Sequence, residues 1–198
     1  MRFPPAAAAA SLALLLTLVG ACSDDPSADP TEGGKSEVLG DADEGIDGVQ
    51  SIRVYYENPV HTAEADGDVP YELRPPAGGM HRPVWWNCGF YDQPVPDENV
   101  VHDLEHGAVW LAYSAELDAA DVDVLHDIAR DNDHVLVSPY EDLDAGVAVV
   151  ATAWARQLTL DSVDDPRLDA FVEQYRDGDQ APEAGAGCLG SPLGDPIP

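Results

Sequence analysis

Regular apolar patterning is concentrated in the second half of the chain. Ala108 to Tyr113 is an almost unbroken apolar run between Gly107 and Ser114, which predicts a strand buried on both faces. Asp118 is placed to cap a helix whose Val122, Leu125, Ile128 and Ala129 fall on one face, and Asn132-Asp133 ends it before a strand at Val135-Leu136-Val137. Strand, helix and strand in that order predict a right-handed parallel crossover. Gly146 to Trp154 and Gln157 to Leu160 read as two further strands. Asp165-Pro166 then opens a last helix with Leu168, Phe171, Val172 and Tyr175 at helical spacing, and Gly178 closes it. Ahead of this block, Asp97 is a candidate cap for a short helix, Glu98 to His106, stopped by Gly107. The fold class expected is α+β: a small mixed sheet covered by two helices behind a long irregular N-terminal half.

That first half lacks periodicity. After Val54-Tyr55-Tyr56, residues 58 to 96 are rich in Pro, Gly and aromatics, and irregular segments of this length usually have a function. Residues 23 to 49 hold nine acidic residues and one Lys, which predicts a flexible acidic tether. The DADEGIDG stretch within it has its glycine one position early for a calcium loop, and no terminal Glu follows at the right offset. At the start, Arg2, the apolar run Ala6 to Val19 and small Gly20-Ala21 have the layout of an export signal, too short to complete a membrane span. Val19-Gly20-Ala21-Cys22 resembles a bacterial lipobox, so Cys22 is the expected lipidation site and the membrane the expected partner, through that anchor. The organisation expected is a lipoprotein signal peptide over 1–21, a tether over 22–49 and one globular domain over 50–198.

Composition narrows the function classes. The 198 residues carry 38 acidic against nine basic side chains, a formal net charge of −29. Eight Arg and a single Lys build no basic patch, which excludes nucleic-acid binding. Past residue 49 the balance is still 29 acidic to seven basic, a surface suited to hydration in strong salt. With Cys22 used for lipid, Cys88 and Cys188 remain, and in an oxidising extracytoplasmic compartment they are expected to form one disulfide. Neither sits in a CxxC pair, which ranks thiolate metal ligation below the bridge.

The candidate chemistry lies in histidines. Four of the six, His61, His81, His102 and His106, fall in the irregular stretch and its short helix. His102 and His106 are four apart, so both imidazoles project from one helical face, with Glu98 one turn earlier and Glu105 on a neighbouring face. His81 follows Gly78-Gly79-Met80, a turn that lets backbone approach a site closely, and His61 lies in a loop able to reach it. Three or four convergent imidazoles suit copper or zinc, and Met80 offers a softer copper ligand. His126 and His134 sit on regular elements and are not counted as ligands. The segment His102 to His106 also matches HxxEH, in which two histidines hold zinc and Glu105 activates water, although the additional acidic ligand would have to be chosen among many such as Glu173.

The sequence from Pro75 to Tyr113, with its PPAGGMH turn, Cys88-Gly89-Phe90-Tyr91 and VHDLEHG, resembles the bacterial family called domain of unknown function 3105. The likeness continues through VLVSPY, TAWARQLTLDS and the last helix to Cys188. It draws attention to His61, His81, His102, Glu105 and His106 and implies no activity. Met80 departs from the small or polar residue or Pro that the family more often places before the turn histidine. The resulting expectation is a lipid-anchored envelope protein that binds copper or zinc. Two alternatives stand beside it: a non-catalytic structural or interaction module whose histidines are packing groups, and an HxxEH zinc hydrolase. No protein partner is indicated.

Overall fold

The computed structural model describes residues 33–42, 45–55, 61–62 and 67–198. The expected signal peptide and Cys22 lie outside the described residues. Strands β1 (Ser36–Asp41), β2 (Gln50–Val54), β3 (Gly89–Phe90), β4 (Val109–Ser114), β5 (Val135–Tyr140), β6 (Val149–Ala153) and β7 (Arg156–Leu160) form one seven-stranded sheet in the order β1-β2-β7-β6-β4-β5-β3. The helices are α1 (Asp97–Glu105), α2 (Ala119–Asp131) and α3 (Pro166–Tyr175).

Strands β4 and β5 pair in parallel around α2, as the strand–helix–strand pattern predicts, and β3 adds in parallel to β5. The remaining pairs are antiparallel, so the sheet is mixed and the fold is α+β.

Alternation along the central strands separates two cores. On β4, Val109, Leu111 and Tyr113 enter one cluster with Leu125 and Ala129 of α2 and Leu168, Phe171, Val172 and Tyr175 of α3. Trp110 and Ala112 enter the other, with Val100, Val101 and Leu104 of α1, Tyr71, Tyr91 and Cys88. Two layers of apolar contact explain why β4 reads as a continuous run: nearly every position meets something apolar. The second face, covered by α1 and the irregular segments, is where the histidines lie.

Three local expectations change. Ser36–Asp41, read as part of the tether, is the edge strand β1, with Ser36 opposite Val54 and Asp41 opposite Gln50. Val49, also placed in the tether, is buried in the core at 1% exposure. The acidic composition of the segment hides this because β1 is an edge whose side chains are mostly exposed. Asp97 does not cap α1: no side chain does, Pro96 holds the cap position, and Asp97 instead accepts a hydrogen bond from the Tyr140 hydroxyl at 3.1 Å. Asp118 does cap α2, accepting from the amides of Ala120 and Asp121. Asp165 likewise caps α3.

Cys88 and Cys188 form a disulfide with Cα atoms 5.5 Å apart, which ties the chain's C-terminal segment to the histidine-bearing face. Asn87 reinforces the tie. Its amide group donates to the carbonyls of Ser191, Leu193 and Gly194, and its side-chain oxygen accepts from the Ser191 amide.

Candidate metal centre

Helix α1 sets two of the histidines and the glutamate. Its sequence places Val100, Val101 and Leu104 against the sheet, which leaves His102, Glu105 and His106 on the side facing the loops. Gly107 ends the helix at φ 99°, and a Cβ there would meet Asp177 Cα at 3.1 Å. The other two histidines arrive on loops. The turn before His81 needs its glycines: Gly79 has φ 121°, and a Cβ on it would approach the Gly33 carbonyl oxygen to 2.7 Å. His61 forms a parallel bridge with His81, secured by the Thr62 amide donating to the His81 carbonyl at 2.8 Å.

His61, His81, His102 and Glu105 each offer one ligand atom, and these atoms lie within 4.8 Å of one another. His81 is fully buried and His102 and Glu105 nearly so, whereas the His61 side chain is 44% exposed. His81 Nε2 lies 3.1 Å and His61 Nε2 3.9 Å from Glu105 Oε2. His106 stands beside this group, its Nε2 3.0 Å from His102 Nε2. Of the five candidate ligands, four therefore converge on one position and the fifth touches it through His102. Glu98 is elsewhere, its carboxylate accepting from the Val69 amide.

The opposite nitrogen of three rings is committed. His81 Nδ1 lies 2.9 Å from the Gly79 carbonyl, His102 Nδ1 2.7 Å from that of Arg82, and His106 Nδ1 2.9 Å from that of Gly187. A carbonyl only accepts, so each Nδ1 must be the donor and carry the hydrogen. In the neutral rings every Nε2 is then a lone pair, and those lone pairs point at one another or at a carboxylate. Such a set repels itself unless a cation lies among it. Imidazoles whose far N–H is held by a backbone carbonyl are the usual outer support of metal-binding histidines.

Electrostatics favour the ligand forms. Burial pulls His102 down to about 4, helped by the neighbouring histidines against the Arg82 carbonyl bond, so it is neutral at pH 7. Burial pushes Glu105 up, but the hydrogen bond to His81 and the positive charge that His81, His102 and His61 carry when protonated outweigh it and hold the carboxyl below its ordinary value. A neutral imidazole and an ionised carboxylate are what a metal ion needs. The cluster fits such an ion in donor chemistry and in spacing.

A second group, Cys88, Asp103 and Cys188, also converges, but its two sulfurs are joined to each other. Asp103 is fully buried, accepts from the Trp86 amide at 3.0 Å, and is pushed well above the usual carboxylate range by burial. It buttresses the disulfide side of α1. The side chains and carbonyls that sequence reasoning missed are mostly of this supporting kind: Asp103, the carbonyls of Gly79, Arg82 and Gly187, Trp85 with its ring 5.2 Å from that of His106, and Glu183. His126 and His134 take other roles, the first packing tilted against the Phe90 ring and the second bonding the Ala186 carbonyl.

Fold and site together define a mixed-sheet α+β domain with a histidine–glutamate cluster on its loop-covered face. The chain belongs to the family described as protein of unknown function (DUF3105), whose model matches residues 61–190 and so spans all five candidate ligands and both bridged cysteines. No curated protein and no solved structure matches the chain. Among the described residues no helix is long and apolar enough to cross a membrane, and the disulfide is compatible with an extracytoplasmic domain.

Proposed function

We propose that this is a lipid-anchored envelope protein whose His61, His81, His102 and Glu105 bind one transition-metal ion, copper or zinc, to sequester it or hand it on. The observation that carries the reading is that His81 and His102 donate their Nδ1 hydrogens to the Gly79 and Arg82 carbonyls, which leaves both Nε2 lone pairs for the position they share with His61 and Glu105. Three imidazoles and a carboxylate suit a borderline metal, and the lowered position of His102 keeps a lone pair available at neutral pH. The HxxEH hydrolase reading fits less well. It needs His102 and His106 as zinc ligands with Glu105 free to act on water, whereas Glu105 lies among the converging donors, against His81.

A purely structural role has one observation in its favour, the 3.1 Å contact of His81 Nε2 with Glu105, which a protonated His81 would satisfy without metal. Elemental analysis separates the two. The chain from residue 23 onward, purified without a His tag and reconstituted with copper or zinc, should carry about one ion per chain, and His102→Ala should abolish it. A wild-type chain that stays empty while His102→Ala unfolds would establish the histidines as packing groups. Lipidation is tested separately: the Cys22→Ala chain should be lost from the membrane fraction.

A further inference from the structure

The carboxyl of Asp103 is fully buried, and its two oxygens face different neighbours. Oδ2 accepts from the Trp86 amide at 3.0 Å. Oδ1 is turned to Cys188 Sγ, 3.8 Å away. A bridged sulfur has no hydrogen to donate and is at best a weak acceptor, so among the described residues Oδ1 has no partner of ordinary strength. Buried polar atoms normally have one, and an exception calls for a redox role or a bound ion.

The side chains around that oxygen converge. Cys88 Sγ, Cys188 Sγ and a carboxylate oxygen of Asp103 lie within 4.8 Å of one another. Two thiolates and a carboxylate are a zinc donor set, and bonds of about 2.3 Å to sulfur and about 2.0–2.2 Å to oxygen place donors on one ion roughly 3 to 4 Å apart. The distance from Cys188 Sγ to Asp103 Oδ1 already has that spacing. Only the sulfurs stand too close, because they are bonded to each other. Their Cα atoms are 5.5 Å apart, so once the bond opens, rotation about the two Cα–Cβ bonds parts them with the backbone in place. That backbone has its own fastening: the Cys88 amide donates to the Cys188 carbonyl at 2.9 Å, and Asn87 holds the carbonyls of Ser191, Leu193 and Gly194. The bridge can also be reached, since a cavity of about 450 Å³ lies against it, lined by both cysteines, Gly89, Gly187 and Leu189.

We infer that reduction of the Cys88–Cys188 bridge opens a second metal position, in which both thiolates and the Asp103 carboxylate hold one zinc ion whose fourth coordination place faces the cavity. The reductant is a dithiol. One of its thiolates attacks a bridge sulfur and the S–S bond breaks; its second sulfur then displaces that cysteine, leaving the disulfide in the reductant. The two electrons and two hydrogens that the dithiol loses pass to the two cysteines. Zinc binding then releases three protons to solvent, one from each thiol and one from the neutral Asp103 carboxyl. The bridged chain holds no zinc at this position, and reoxidation expels the ion. The position is separate from the histidine cluster and does not rest on the reading of it.

Cobalt(II) is the probe, because its bonds to thiolate sulfur give a strong near-ultraviolet charge-transfer band that histidine and carboxylate ligands do not. The chain from residue 23 onward is titrated with cobalt as the disulfide and again, without oxygen, after reduction and removal of the reductant. The bridged chain should give no band. The reduced chain should give one that saturates at about one thiolate-bound cobalt per chain and disappears when zinc is added. Asp103→Asn, whose side-chain oxygen still accepts from the Trp86 amide, should weaken cobalt binding in the reduced chain by about tenfold or more, at least the scale of losing an outer support. A reduced wild type with two titratable thiols and no band would overturn the position, and so would an Asp103→Asn chain that binds as tightly as wild type. If reduction alone unfolds the chain, cobalt must restore its circular dichroism together with the band; unfolding that cobalt leaves unreversed overturns the inference. If Asp103→Asn fails to fold, the wild-type band decides alone. A bridged chain that takes up no metal at all would remove the histidine-site reading and leave this one standing.

Discussion

The backbone closes its hydrogen bonds differently in the two halves of the folded chain. Between Val109 and Tyr175 they close within ladders and helices, six registered pairs between β4 and β5 alone. Between Val69 and Asn87, and again from Glu183 to Gly194, they close on side chains and on distant loops: Glu98 takes the Val69 amide, Asp103 that of Trp86, and Asn87 three tail carbonyls. A ladder repeats, so its apolar partners repeat and leave a period in the sequence. A loop fastened by single polar residues leaves none. The periodic half supplies a floor, the loops over it supply His81 and the three carbonyls of Gly79, Arg82 and Gly187 that hold ring nitrogens, and α1 between the two carries His102 and Glu105.

The two halves should therefore fail differently. Phe171 is fully buried between the sheet and α3, its ring 4.6 Å from that of Tyr175. Phe171→Ala is expected to lower unfolding stability by about 3–5 kcal/mol, the range for truncating a core aromatic. Chemical denaturation should show this as a lower midpoint, with metal content per folded chain unchanged. Loss of metal in the folded fraction would mean that the sheet and the cluster are not separable.

Removing the disulfide attacks the other half. The bridge spans 100 residues, and a loop of that length is worth at most about 4.7 kcal/mol in the chain-entropy treatment. Cys88→Ser/Cys188→Ser is expected to cost roughly 2–4 kcal/mol, within the range seen for native bridges. Hydrogen exchange should rise first at residues 183–194 and at the Gly187 end of the site, ahead of β4 and β5. Uniform exchange across sheet and tail would break the distinction between the halves.

The same contrast explains what could be read from the sequence. The Leu168, Phe171, Val172 and Tyr175 stripe and the Ala108 to Tyr113 run announced helix and strand, and the caps Asp118 and Asp165 are where their side chains suggested. His61, His81, His102 and Glu105 were legible as residue types crowded into one irregular stretch, and three elements bring them within reach of one another. Glu183 was not, being one of 38 acidic residues and distant in sequence from the histidines. The carbonyls that fix the ring tautomers carry no side-chain signature at all. β1 was missed because an exposed edge strand lacks the apolar alternation that marks strands facing a core.

Asp97 sharpens the comparison at smaller scale, because it resembles the capping Asp118 in sequence yet stands at the start of α1, on the face covered by the irregular segments. Burial pushes its carboxyl up to about 6, against the hydrogen bond from Tyr140 and the charge of Arg74, which pull it down, while Glu98 and Asp142 add to the rise. An acid whose folded value lies above its unfolded value of 3.8 destabilises the fold once ionised. Its contribution is intact below the unfolded value and is lost as pH rises through about 6. His102, held down to about 4, works in the opposite sense over much of the same window, favouring the fold as pH rises toward neutrality. The net pH profile of the wild type hides both, so the difference between two proteins is the informative quantity. Asp97→Asn cannot ionise and should be more stable than wild type by about 1–2 kcal/mol at pH 7, with the gap closing by pH 4. Parallel denaturation curves at the two pH values measure that gap. An equal effect at both would mean that Asp97 acts through the Tyr140 hydrogen bond alone, and that this face of α1 is held by geometry without a penalty from buried charge.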